Sequence, residues 1–568
     1  MEYIIGAAVF LVIFVIGGLY MQKKSEKKRA LKIKESFGLV PELEYTYEKY
    51  ESIGYYYRER LEKDPENSEH CNIDNITWHD LDMDKVYMTL NATQSSIGEE
   101  YLYYLLRTPE LKGDKLEERE KLINFFTKKA EKRVKLQTEL SKAGRLDKVS
   151  VYEYLGRLEQ LEDESNFKHF MCIFLLVAAV ASLFIIPVVG IISLLGVFFY
   201  NIISYFKRKG QIENYYAVVA YILRTLDVTN NICNIEDEVL SPYISVLKEQ
   251  HKQFKSITRG AGLIVSKKSS GDILEVALDY LRMATHIDLI RFNVMLKKLK
   301  SRKDDFDKIY EVIGLLDSMA AVASFRRLMG AWCIPELIRE NKGASSSLSG
   351  ISATNIYHPM IISPVKNDFK ESGNVLLTGS NASGKSTFIK TVAINSILAQ
   401  TINTVLADSY KGTFFKCMTS MALADNLSDG ESYYIVEIKS LKRICDSLRD
   451  DVPLLIFIDE VLRGTNTLER IAASSQILSY VGKRNCMLFA ATHDIELTYI
   501  LEKEFYMYHF EEKVEDNGVT FDYKLKGGRA VTRNAILLLK MLKFDSEITD
   551  KAEEAADKFL KTGDWGNA

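Results

Sequence analysis

This sequence has little of what interrupts helices or staples chains together. Proline occurs nine times in 568 residues, and since it costs about 3 kcal/mol inside a helix, its scarcity predicts a helix-rich chain. Seven cysteines stand at 71, 172, 233, 333, 417, 445 and 486. None forms a C-x-x-C pair, so no zinc site and no disulfide frame is expected, and the thiols read as reduced in a cytosolic setting. The net charge is only −3, which by itself points to no polyanion partner. There is no internal repeat and no long low-complexity tract. Hydrophobic residues at 47% against 27% charged exclude both a disordered chain and a bulk membrane protein.

Two stretches lack charge altogether. Residues 3–21 (YIIGAAVFLVIFVIGGLYM) match the roughly 20 apolar residues that a membrane span needs. The basic run Lys23, Lys24, Lys27, Lys28, Arg29 follows at once. A cleaved signal carries its positive charge before the apolar run, so the order predicts an uncleaved anchor. The excess of positive charge puts the N-terminus outside and the rest of the chain in the cytoplasm. The second stretch, 170–206, is too long for one span and long enough for two short ones, with a turn expected at Pro187–Gly190 and a basic close at Lys207, Arg208 and Lys209. The expectation is a multi-pass protein of the cell membrane; the alternative is a very apolar hairpin buried in a soluble fold. The basic residues between Lys23 and Lys34 are a topology signal that can also attract anionic membrane lipid, at about 1 kcal/mol each near the surface.

Between these runs the pattern is helical. Residues 43–61 interleave Tyr45, Tyr47, Tyr50, Tyr55, Tyr56 and Tyr57 with Lys49, Arg58 and Arg60. Such a mixture can stack on bases, but it reads better as the packed or interfacial face of a helix. Residues 111–161 and 211–341 repeat apolar positions every three or four residues among charges of both signs. The basic cluster from Lys297 to Lys308 reads as a solvated helix face rather than a nucleic-acid contact. Residues 341–352 (NKGASSSLSGIS) are a small, polar linker.

Beyond that linker the chain carries recognisable chemistry. The apolar run Val375–Thr378 leads into Gly379, Ser380, Asn381, Ala382, Ser383, Gly384, Lys385, Ser386 and Thr387, followed by an apolar-periodic segment. That is strand, glycine-bracketed loop and helix, with the spelling G-x-x-x-x-G-K-[ST]. Loop N–H groups and a helix N-terminus make a nest for a polyphosphate. Lys385 is expected on the β- and γ-phosphates of ATP and the Ser386 hydroxyl on Mg²⁺. About 70 residues on, Leu454–Ile458 end in Asp459 and Glu460. Such a strand is expected beside the loop, with Asp459 on Mg²⁺, directly or through water, and Glu460 polarising the attacking water. A further apolar strand, Met487–Ala491, leads to Thr492 and His493, a histidine suited to hydrogen-bond the γ-phosphate or the water. Ser432 opens a helix and offers a hydroxyl and an N–H to an anion, an arrangement that usually serves a partner subunit's site.

These motifs resemble the ATPase domain of the MutS mismatch-repair family. The family's T-G-P-N-x-x-G-K-S-T is similar to residues 378–387, its D-E-x-G-R-G-T to 459–465, its A-T-H-x-x-E-L to 491–497 and its S-T-F-x-x-E to Ser432–Glu437, with His358-Pro359 ahead of them. Upstream, Thr93–Gly98, Leu105–Pro109 and Leu315–Asp317 resemble the family's helical core. The resemblance implies an α/β phosphate-loop ATPase domain of the ABC/MutS type, preceded by a mainly α-helical core and lever region with predicted transmembrane helices. The expected segments are an anchor at 1–22, a basic, tyrosine-rich juxtamembrane stretch at 23–74, the helical region at 75–340 with its hairpin at 170–206, the linker, and the ATPase domain at 353–568. It also implies a three-layer sheet, a homodimer with composite sites, and Tyr523 in place of the histidine that stacks on adenine. The departures are specific. Neither the family's mismatch-reading domain nor its C-terminal nuclease domain is expected, and Phe369-Lys370-Glu371 spells the wedge just before the phosphate loop. Leu462 replaces the first glycine of the G-R-G turn, and Gly528–Thr532 stands where the family has Ser-Tyr-Gly. Three functions stay open: an ATPase acting on DNA near a membrane, an ATP-driven switch on a membrane protein partner without DNA, and the ATPase part of a transporter.

Overall fold

The computed structural model describes all residues except 1–19, 22, 64–71, 259–272, 340–349, 381–382, 422–432, 449–451, 463–464, 516–517, 531–535, 537–538, 541 and 563–568. The first expected span, most of the linker and Ser432 lie outside the described residues. The helices used below are α1 (Asn75–Asp80), α2 (Ser96–Arg107), α3 (Phe167–Ile185), α4 (Pro187–Gln211), α5 (Ile273–Thr285), α6 (Ile287–Lys300), α7 (Lys303–Met329), α8 (Lys385–Ile402), α9 (Tyr433–Asp446) and α10 (Thr467–Gly482).

The described residues of Met1–Pro65, Met88–Leu105 and Arg119–Leu328 form one compact unit, and those of Glu66–Tyr87, Leu106–Glu118 and Met329–Ala568 form another. The division differs from the linear one expected from the linker. Two upstream excursions belong with the C-terminal unit, because their side chains find partners there.

The first unit is helical. Its core turns on the buried Asp317 of α7, whose carboxylate accepts from the Gln94 and Ser95 amides at 2.9 and 3.0 Å and from Ser95 Oγ at 2.6 Å. Gly98 lies directly over it: a Cβ there would sit 2.2 Å from Asp317 Oδ2. One turn away the buried Glu100 accepts from Ser150 Oγ, Val151 N and Tyr310 Oη at 2.7–2.9 Å. The tyrosine-rich stretch packs inward. Tyr56 and Tyr57 are buried, with the Tyr56 ring 4.6 Å from Tyr152 and 4.8 Å from Tyr310. Lys49, also buried, pairs with Glu99 at 3.5 Å. Residues 43–61 are therefore part of this core rather than a separate juxtamembrane stretch. Phe37 lies between the guanidinium groups of Arg133 and Arg327, at 3.4 and 5.6 Å, a cation–π clamp on the segment that follows residues 23–35.

The apolar run forms two helices, α3 and α4, each long and apolar enough to cross a membrane and each only 17% buried over its most apolar window. The expected turn at 187–190 is shorter: the chain breaks at Ile186, and Pro187 opens α4, where its fixed φ and missing N–H fit the first turn. Gly190 lies inside α4 and lets Leu183 pack against its backbone. Phe174, Val177, Phe184, Val188, Ile192 and Ile203 are all more than 60% exposed. At the base, Asn201 Nδ2 donates to the Cys172 and Ala284 carbonyls and Tyr205 Oη to Asp288 at 2.8 Å.

The second unit contains two larger sheets where one three-layer sheet was expected. Four strands, β1 (Glu336–Ile338), β2 (Ile351–Ile356), β3 (Asn367–Glu371) and β5 (Ser409–Thr413), run in the order β1-β5-β2-β3, and six run in the order β12-β9-β4-β8-β7-β6. Those of the larger sheet are β4 (Asn374–Thr378), β6 (Lys416–Ser420), β7 (Leu454–Asp459), β8 (Cys486–Ala491), β9 (Phe505–His509) and β12 (Lys526–Gly527). Strands β4, β7 and β8 are buried along their whole length, and their apolar runs Val375–Leu377, Leu454–Ile458 and Cys486–Ala491 fit a sheet covered on both faces. The acidic strand β7 is not beside β4; β8 lies between them.

Candidate nucleotide site

The parallel register brings three motifs to one edge of the sheet. Leu377 of β4 and Asp459 of β7 both stand opposite Ala491 of β8, and the pairing continues as Thr492 N donates to Leu377 O and Glu460 N to Ala491 O, each at 2.9 Å. The strands therefore deliver the phosphate loop, the Asp-Glu pair and His493 at their C-terminal ends, where open α/β sheets place their ligands.

The loop conformation depends on its glycines. Gly379 has φ +140 and would press a Cβ to 2.8 Å from Phe510 O; Gly384 has φ +105 and caps α8. Lys385 is 2% exposed and its ammonium donates to the Gly379 and Ser380 carbonyls at 2.7 and 2.8 Å. It is thus held over the loop that a polyphosphate would occupy. Ser386 is half-buried and Thr387 exposed at the start of α8, and Ser383 Oγ donates back to Ser380 O. Asn381 and Ala382 lie outside the described residues.

Asp459 Oδ1 is buried without a hydrogen-bond partner among the described residues. A buried carboxylate oxygen left free costs energy unless a cation or donor meets it, so Asp459 together with the Ser386 hydroxyl fits a Mg²⁺ ion. Next to it, Glu460 Oε1 lies 2.6 Å from His493 Nε2, so the imidazole N–H holds the carboxylate in place. Thr492 Oγ1 accepts from Asp494 N, and Arg470 of α10 grips Asp494 with two hydrogen bonds of 2.9 and 2.6 Å. This second layer fixes the turn that carries His493.

The chain after β7 is strained where function would need it. Glu460 has φ +58 and Leu462 φ +59, conformations that favour glycine and cost about 1–3 kcal/mol each in other residues. Leu462 stands at the turn where the resemblance expects glycine. Its side chain is buried in the core beneath β7 and its N–H donates to Glu437 Oε1 of α9. Apolar burial and a charged acceptor thus offset the strain.

Tyr523 follows β11 (Gly518–Phe521) rather than lying in it. It is 44% exposed, its ring stacks on Phe521 at 5.8 Å, and it would stand 3.1 Å from a Cβ on Gly384. It is beside the phosphate loop. Sequence reasoning missed Glu512, which accepts from Ser380 Oγ at 2.6 Å; no motif marks it, because only the return of the chain past β9 brings it to the loop.

The comparisons agree with this geometry. A family profile described as MutS domain V matches residues 375–560. Among relatives, DNA mismatch repair protein MSH3 of Vanderwaltozyma polyspora is 27% identical over 397 residues, 62% of this chain and 38% of that protein. DNA mismatch repair protein MutS of Petrotoga mobilis is 28% identical over 285 residues, 46% of this chain and 32% of its own. That of Thermotoga maritima is 32% identical over 204 residues, 35% of this chain and 25% of its own. The chain therefore spans about a quarter to two fifths of the length of these relatives. In its motif order, strand order and loop geometry the segment 375–560 is thus similar to MutS domain V.

Proposed function

We propose that this chain is a MutS-type ATPase that binds and hydrolyses Mg²⁺–ATP as a homodimeric switch, with its helical unit seated in a membrane by the α3–α4 hairpin. The observation that carries the reading is the convergence of Lys385, Asp459 and the Glu460–His493 pair at the ends of three strands. The loop N–H groups and Lys385 hold the β- and γ-phosphates. Bound Mg²⁺ supplies positive charge to the phosphate oxygens, held by Ser386 and Asp459. Glu460, steadied by His493, accepts a hydrogen bond from the attacking water and aligns it with the γ-phosphate. The resemblance assigns Ser432 to the nucleotide site of a second copy of the chain. Purified full-length protein in detergent is expected to release phosphate from ATP only with Mg²⁺, and a reporter fused at Ala568 to read as cytoplasmic. Magnesium-independent turnover contradicts the chemistry, and an extracytoplasmic reporter contradicts the seating.

The exposed apolar faces of α3 and α4 support the membrane seating: soluble monomers rarely leave so large an apolar surface in water. A second reading, action on DNA, is favoured by the likeness to the mismatch-repair protein MSH3, which covers 62% of this chain and so extends beyond domain V. Against it, the basic cluster is partly engaged, with Lys300 on Asp163 at 2.8 Å and Lys298 on the Ser256 carbonyl. Titration with duplex and single-stranded DNA at two salt concentrations separates the readings, because phosphate contacts weaken steeply with salt.

Tyr523 is assigned to the adenine ring. Such stacking is worth about 0.5–1.5 kcal/mol, so Tyr523→Ala is expected to weaken ATP and ADP alike by about twofold to tenfold. Turnover at saturation is expected to hold, because the γ-phosphate groups are untouched. Wild-type affinity for both nucleotides in the folded variant rules the assignment out.

A further inference from the structure

Strand β6 is the edge of the six-stranded sheet, and an edge strand presents unpaired N–H groups unless something covers it. Here the cover comes from far upstream. The Thr419 amide donates to Thr77 Oγ1 of α1 at 3.2 Å, and the Met421 amide and Thr419 Oγ1 both donate to Asp80 Oδ2, at 3.0 and 2.6 Å. The two amides are two residues apart, as the outward-facing groups of one edge must be. Helix α1 is joined to α9 as well. Arg443 bonds Asp74 Oδ1 at 2.5 Å through one guanidinium nitrogen and the Thr419 carbonyl through the other. Beyond α1, Asp82 pairs with Lys390 of α8 at 2.7 Å.

These contacts lead to the nucleotide site by two short routes. Thr419 and Ser420 pair with Phe457 and Ile458 of β7, immediately before Asp459 and Glu460. Helix α9, fixed by Arg443, carries Glu437 onto the Leu462 amide, the strained turn just after Glu460. Both routes end on the backbone that aims the water-orienting carboxylate. Neither Asp74 nor Asp80 lies in residues 375–560, the segment matched as domain V.

We propose that Asp80 is a positioning residue for ATP hydrolysis: by holding the free edge of β6, and with α9 held by Arg443 on Asp74, it fixes the turn that presents Glu460. Residues far upstream of residues 375–560 thereby complete the catalytic sheet, and a shift of α1 moves Glu460 without touching the phosphate loop. The role needs an acceptor oxygen, not a charge. Burial raises the Asp80 carboxyl above its usual range, with the Thr419 and Met421 hydrogen bonds opposing, so a neutral isostere suits the site.

The inference rests on the ATPase reading, and its test separates the two. In full-length protein, Asp80→Ala is expected to lower kcat by about tenfold or more with KM for ATP within about twofold, while Asp80→Asn, which keeps an oxygen for both donors, stays within about threefold of wild type. Arg443→Met, which keeps the stem and removes the two bonds, is expected to lower kcat in the same manner should Asp80→Ala fold poorly. Independently of turnover, hydrogen exchange is expected to quicken at the β6 amides and at Leu462 in Asp80→Ala, not in Asp80→Asn, and to stay unchanged in β4. Unchanged kcat and unchanged exchange at Leu462, or a parallel loss of affinity and kcat, overturns the assignment. If wild-type protein and Lys385→Ala release phosphate equally, the ATPase reading falls instead, and the exchange pattern still decides the role of Asp80 in placing the turn.

Discussion

Glu460→Gln is expected to bind ATP as tightly as wild type and to hydrolyse it about a hundredfold more slowly or worse, as loss of a general base typically produces. The carboxylate is 2.6 Å from His493 and lies at the end of β7, while the phosphate loop is built on β4 with β8 between them. Replacing the acid by its amide keeps the size and one oxygen for the His493 N–H. It removes the negative charge that polarises water. Lys385→Ala is the contrasting variant. It deletes a buried ammonium held over the loop, and charge-assisted hydrogen bonds to phosphate are worth about 1.5–3 kcal/mol, so nucleotide affinity is expected to drop by roughly ten- to hundredfold. Equilibrium binding of a fluorescent ATP analogue beside steady-state phosphate release distinguishes the two. Equal loss of binding in both variants would show that Glu460 belongs to the phosphate cradle and not to the water.

Asp317→Ala is expected to cost the helical unit about 3 kcal/mol or more. Two amides and a hydroxyl, Gln94 N, Ser95 N and Ser95 Oγ, lose their acceptor in a fully buried place, at about 1–3 kcal/mol each. Urea denaturation of the full chain, read by exchange protection of α2 and α7, measures the loss; protection unchanged from wild type refutes it. The same site makes a pH prediction. Burial pushes the Asp317 carboxyl from its ordinary 3.8 up to about 6, against the hydrogen bonds that lower it. The folded state therefore holds the proton more tightly than the unfolded chain. That contribution to stability is complete below about pH 3.8 and is lost as pH rises through about 6. Asp317→Asn is expected to flatten this part of the profile. Glu100, pushed up to about 8 by burial, gives a like decline at higher pH, so the Asp317 share is the part that the asparagine variant removes.

Much of the geometry of the candidate nucleotide site was legible in the sequence because it is local. A loop that cradles phosphate needs glycines at positive φ, and Gly379 and Gly384 are spelled where the backbone takes those angles. Strands buried on both faces are apolar over most of their length, as Val375–Leu377 of β4, Leu454–Ile458 of β7 and the whole of β8 are. A long uncharged run can be read from hydropathy alone, and α3 and α4 are as long and apolar as expected, with Lys168 and Lys207, Arg208 and Lys209 only at the outer ends of the pair. Tertiary structure decided what depends on residues distant in sequence. That β8 separates β4 from β7 is a matter of long-range pairing, which no strand's own spelling records. That Leu462 tolerates a left-handed angle follows from its burial and from Glu437, twenty-five residues earlier. That Thr77 and Asp80 close the edge of the six-stranded sheet, more than three hundred residues before β6, could not be read from either segment. An acceptor that satisfies an edge amide has no periodicity and no motif; it is defined only by where the folded chain brings it.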